Sequence, residues 1–138
     1  VASKWTSTAI LGSSDGVLAS IGVVLATASH GASAVVAAVI GLLVAEGLGM
    51  GASEFLSDPD TDLKAAAVMS LSTGLPIILV GLPWLVVGGW EALAVSGSMA
   101  GLIAFEIAHA RGGTRLAYLQ TFGVLIGVGA LAALAGRI

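Results

Sequence analysis

Long apolar runs, broken by short polar punctuation, set the pattern of the chain. Five runs, near residues 7–29, 33–57, 65–88, 91–110 and 115–136, reach the roughly 20 residues a helix needs to cross a hydrocarbon core of about 30 Å. The breaks are Ser29-His30-Gly31, Asp58-Pro59-Asp60-Thr61-Asp62, Gly88-Gly89 and Arg111-Gly112-Gly113-Thr114. Connections this short make successive helices antiparallel neighbours. The pattern predicts an all-α integral membrane protein, a single domain of five transmembrane helices over residues 1–138. Glycines four apart recur at Gly12 and Gly16, Gly47 and Gly51, Gly97 and Gly101, and Gly123 and Gly127, a spacing that lets helices approach closely. Pro76 and Pro83 lie on one face of the third run, so a bend or local opening is expected there.

Composition points the same way. The chain is 57% hydrophobic and 9% charged, with a mean hydropathy of +1.07, where soluble domains carry about 25% charged residues. Without cysteine it has neither a disulfide framework nor a thiolate metal site. A net charge of −3 with no basic run gives no reason to expect a nucleic-acid partner. Val1 is not a methionine, which suggests a trimmed start, and no basic, cleavable leader is visible. The few basic residues orient the helices. Lys4, Lys64, Arg111 and Arg115 fall on the N-terminal side and Arg137 on the other, so the N-terminus is expected to be cytoplasmic. Trp5, Phe55 and Tyr118 are then expected near the cytoplasmic interface, with Trp84 and Trp90 toward the far one.

Strongly polar side chains interrupt this picture in one stretch, Val44 to Asp58. On a regular helix Glu46, Met50 and Glu54 fall at i, i+4 and i+8, so two carboxylates and a thioether form one column. Counting 1.5 Å per residue from the cytoplasmic end, Asp15 lies roughly 12 Å deep, Glu46 roughly 16 Å, Met50 about 10 Å and Glu54 about 5 Å. The column reads as a ladder toward the membrane centre, ending beside Asp15. Ionisable groups at such depth are expensive and point to function. Carboxylate with thioether suits a borderline transition metal such as Fe²⁺ better than Mg²⁺ or Ca²⁺. Desolvation favours a neutral carboxyl and metal binding displaces its proton, so proton-for-metal exchange follows. Packing alternatives stay open: Met50 as a gap filler, Asp15 and Glu46 as hydrogen-bonded structural carboxyls.

Asp58, Asp60 and Asp62 continue from Glu54 as an acidic mouth that would concentrate cations. The plainer reading is a turn followed by a helix cap. Glu106 and His109 form a single E-x-x-H, half of the pattern used by di-iron bundles. A peripheral role at the metal entrance competes with an interfacial histidine beside Arg111 and a locally satisfied glutamate. His30 stands alone and has no assigned role.

The pair Asp15-Gly16 in the first run, and Gly49-Met50-Gly51-Ala52-Ser53-Glu54-Phe55-Leu56-Ser57 closing the second, resemble the vacuolar iron transporter family. Gly74-Leu75-Pro76, Leu82-Pro83 and Gly136-Arg137 extend the resemblance over nearly the whole chain. It implies a homodimer built on the first helices, a secondary transporter rather than an enzyme, moving Fe²⁺ or Mn²⁺ out of the cytosol against protons, with no permanently bound cofactor. Asp15, Met50 and Glu54 are the matched positions; Glu46 rests on geometry alone. Leu42 stands where plant members carry a glutamate, and Glu106 where a small residue is expected. The short Asp58 to Lys64 link replaces the family's cytoplasmic metal-binding domain, as in its nodulin-like branch, and leaves room for a metal-delivery partner. Membrane lipid is the other expected partner. The resemblance places the protein in the inner or plasma membrane of a bacterium, or a vacuolar-type membrane of a eukaryote. A non-transporting membrane scaffold or assembly subunit is the alternative. A proton-carrying ring subunit and a di-metal oxidase fit the residues less well.

Overall fold

The structure, a computed structural model, describes residues 3–57, 60 and 62–137. Five of its helices are long and apolar enough to cross a membrane: the first Lys4–His30, the second Ala32–Ser57, the third Leu63–Val86, the fourth Gly89–Ala110 and the fifth Arg115–Ala135. All bounds lie within three residues of the sequence expectation. Side-chain oxygens fix three of the starts. Ser3 Oγ accepts from Thr6 N at 3.2 Å, Asp62 Oδ1 from Ala65 N at 2.8 Å and Thr114 Oγ1 from Ala117 N at 3.1 Å. Each satisfies an amide that a helix N-terminus leaves without a partner. Between the first two helices the chain reverses at Gly31, whose φ of 96° lies where side chains other than glycine are strained.

The third helix is the axis of the bundle. Half of its most apolar window is buried, against 11% for the fifth helix. The first helix packs on it most extensively, and glycine explains why. A Cβ at Gly16 would run into the backbone carbonyl of Thr73, and one at Gly12 into Ser72 Oγ. The second helix uses the same device. Gly47 faces the backbone of Gly74, and a Cβ at Gly51 would run into Ser70 Oγ and lie 2.7 Å from Ala66 O. The other two glycine pairs, Gly97 with Gly101 and Gly123 with Gly127, face open space within this chain. Val17, Val24, Val35, Ile77 and Val80 fill the interior between these seams.

The same contacts give the directions. Gly51 meets Ala66 and Ser70 while Val39 meets Gly81, so the second helix runs against the third. Gly129 lies at Leu25 and Gly136 at Ala26, so the fifth runs with the first. Lys4, Lys64, Arg111 and Arg115 consequently share one end, called here the N-terminal end, and Arg137 lies at the far end.

Two expectations are modified. The third helix runs through Pro76, which is buried, and the break falls at Leu82, where Pro83 opens a four-residue helix, Pro83–Val86. A proline at the first helical position removes an amide that would have had no partner anyway. Trp84 does lie toward the far end but is not an interfacial anchor: it is 4% exposed. Its Nε1 donates to Ser96 Oγ at 3.1 Å, and Ser96 Oγ donates to Val80 O at 2.6 Å. A buried indole needs an acceptor, and Ser96 on the fourth helix provides it. Trp90 remains exposed at that end.

The outside of the bundle carries many large apolar side chains. Leu48, Leu56, Leu85, Val86 and Leu131 are each at least 65% exposed. Soluble monomers rarely show contiguous apolar patches above about 300–600 Å², so this surface suits hydrocarbon and not water.

Candidate metal path

The third helix serves as a ruler for the sequence-predicted ladder. Thr73, which meets the first helix at Gly16, and Gly74, which meets the second at Gly47, are consecutive. The two helices therefore sit about 100° apart around it and touch it at the same depth. Asp15 and Glu46, each one residue before the seam glycine, lie on that level. Side-chain direction follows from helical phase. The Leu48 flank of the second helix borders Leu71, Leu75 and Ile78 on the outer side of the third. Glu46 and Met50, on the opposite flank, face into the angle shared with the first helix. On the first helix, Ser13 lines a groove against the third and fourth helices, which leaves Asp15 on the flank toward the second. By helical phase Asp15, Glu46 and Met50 thus share one angle.

The second helix is not a continuous α-helix as the column argument assumed. It is α over Ala32–Leu42, π over Leu43–Leu48 and α again over Gly49–Ser57. In an α-helix a four-residue step overshoots a full turn by about 40°. The wider π turn, with hydrogen bonds from i to i+5, winds less per residue and takes back part of that overshoot. Glu46 lies inside the π turn and Met50 just beyond it, so the two are brought closer to one line. The π-helix occurs mostly as single turns inside α-helices, frequently at functional sites.

At the ladder's inner end two polar atoms are buried without a hydrogen-bond partner, Asp15 Oδ2 and Thr73 Oγ1. Thr73 is fully buried, and Asp15 is half-buried as a residue. Its neighbour Ser14 is satisfied by Ile10 O at 2.7 Å, and Ser72 by Met69 O at 3.1 Å. A buried carboxylate oxygen without a donor is costly, and a proton or a cation is what would fill the gap. Thr73 was not singled out from sequence. Its signal was the small, polar run Ser72-Thr73-Gly74 just before Pro76.

Among the described residues, no group of three or more His, Asp or Glu side chains gathers closely enough to hold one ion. Glu46 and Glu54 are eight residues apart, about 12 Å along the helix, so the arrangement is a series of rungs. Glu54 is half-buried, and its carbonyl accepts from Ser57 Oγ at 3.2 Å. At the N-terminal end Asp60 and Asp62 are exposed, and Asp62 caps the third helix; Asp58 lies outside the described residues. Glu106 and His109 turn to different neighbours. Glu106 lines the groove between the first, third and fourth helices. His109 Nδ1 is 3.5 Å from the Tyr118 hydroxyl on the fifth helix. Comparison of the chain with family models, with curated proteins and with solved structures gives no match.

Proposed function

We propose that the protein is a proton-coupled exporter of a divalent transition metal, working as a membrane-embedded homodimer with its N-terminus in the cytosol. The buried, partnerless Asp15 Oδ2 carries this reading. It lies level with Glu46, in an angle that Met50 also faces, and it is an atom whose burial is justified by a proton or a cation in turn. The rungs below it, Met50 and Glu54, lead toward the end where Asp60 and Asp62 are exposed. Basic residues concentrated at that same end support a cytosolic orientation. Hard carboxylates with one soft thioether favour Fe²⁺ or Mn²⁺ over Mg²⁺, in keeping with the vacuolar-iron-transporter resemblance.

In this account, metal entering from the acidic end displaces the proton on a rung carboxyl, and the proton leaves in the opposite direction. The test is metal-dependent proton movement in proteoliposomes. Wild type is expected to acidify or alkalinise the lumen only when Fe²⁺ or Mn²⁺ is supplied, and Asp15→Asn and Met50→Ala to lose that coupling while remaining folded. Transport by both variants at the wild-type level would place the path elsewhere.

A further inference from the structure

We propose that the cleft between the first, fourth and fifth helices at the N-terminal end binds an anionic phospholipid, with the phosphate on Arg111 and an acyl chain along the cleft. The cavity measures about 430 Å³, inside the range of about 300–1,000 Å³ typical of small-ligand sites. Its floor is Val17, Ala104 and Ile107, all buried, while Val124 and Arg111 on the rim are exposed. Such a cleft is greasy inside and carries its charge at the mouth. That distribution matches a lipid with its headgroup at the surface and not a free anion.

The Arg111 guanidinium is already oriented. NH1 donates to Thr121 Oγ1 at 3.1 Å and NH2 to Gln120 Oε1 at 3.3 Å, both on the fifth helix. Both acceptors are neutral, and among the described residues no carboxylate pairs with Arg111. Five donors with two engaged leave three to bind phosphate oxygens, and holding the group in place beforehand reduces the ordering cost. Arg115 is exposed at the start of the fifth helix and adds a second positive charge at the same end. Basic clefts between helices on the cytoplasmic side are where anionic headgroups are held. The proposal rests on the membrane placement and orientation above, but not on metal transport.

The test is native mass spectrometry of the whole protein released from mild detergent after incubation with phosphatidylglycerol or phosphatidylcholine. Wild type is expected to retain phosphatidylglycerol over phosphatidylcholine by about fivefold or more, the factor expected for one basic residue near an anionic surface. Arg111→Gln removes the preference; Arg115→Gln keeps most of it. Val124→Trp, which fills the rim, lowers retention of both lipids. Excess inorganic phosphate leaves lipid retention unchanged if the acyl chain contributes, whereas full competition by phosphate overturns the lipid assignment. Equal retention of the two lipids by wild type, or an unchanged preference in Arg111→Gln, also overturns it. Because the readout is lipid mass, a protein that transports no metal would still give a clear answer.

Discussion

Gly16 and Asp15 show how much depends on single atoms in this molecule. The hydrogen that is Gly16's side chain lets the first helix lie on the carbonyl of Thr73, and that approach sets the depth of Asp15. Gly16→Val is expected to cost about 1–3 kcal/mol, as overpacking usually does, measured as resistance to unfolding in denaturing detergent. Gly97→Ala, with open space around it, should be neutral or stabilising by up to about 1 kcal/mol. Ser96→Ala strands the Trp84 indole and should cost about 1–3 kcal/mol. Thr73→Val separates structure from function. Its hydroxyl has no partner to lose, so stability should hold or rise. Metal transport should fall by about tenfold or more if that hydroxyl completes the environment of the ion, since bonds to charged groups contribute about 1.5–3 kcal/mol. The carboxylates and Met50 were legible in the sequence because charge in an apolar run is conspicuous. Thr73 was not, since a lone threonine in a helix is ordinary until its burial and missing partner are known.

At the scale of helices, period and punctuation were enough to place all five, because each is long, apolar and bounded by turn residues. What the pattern could not carry was the interior of the second helix. A π turn leaves the spacing of apolar residues nearly intact, and nothing in LVAEGL marks it. The proline positions show a similar limit. Pro76 and Pro83 look alike in sequence, yet the third helix runs through the buried Pro76 while Pro83 starts a new helix. Deleting Ala45 tests the π turn directly. A π turn is one residue more than an α turn needs, so the shortened helix should keep both flanks docked and its helical content by circular dichroism. Glu46 would shift relative to Asp15, and metal-dependent proton movement should be lost. A deletion variant with full coupling would show that the π turn has no part in positioning the rungs.

For the whole molecule, the apolar exterior is compatible with a membrane, and the lopsided basic residues underlie the proposed orientation. Single cysteines at Ser3 and Arg137, introduced into a chain that has none, should label from opposite sides of the membrane, with Ser3→Cys reacting from the cytosol. The proposed path is a whole-molecule property, because it needs the first and second helices held at one depth by the third. Soaking the protein with Mn²⁺ and locating the ion by anomalous scattering tests it most directly. The account predicts anomalous density at the Thr73–Gly74 level, bound by the Asp15 carboxylate with Glu46 or Met50 adjacent. Density confined to Asp60 and Asp62, with none between the first and second helices, would contradict it.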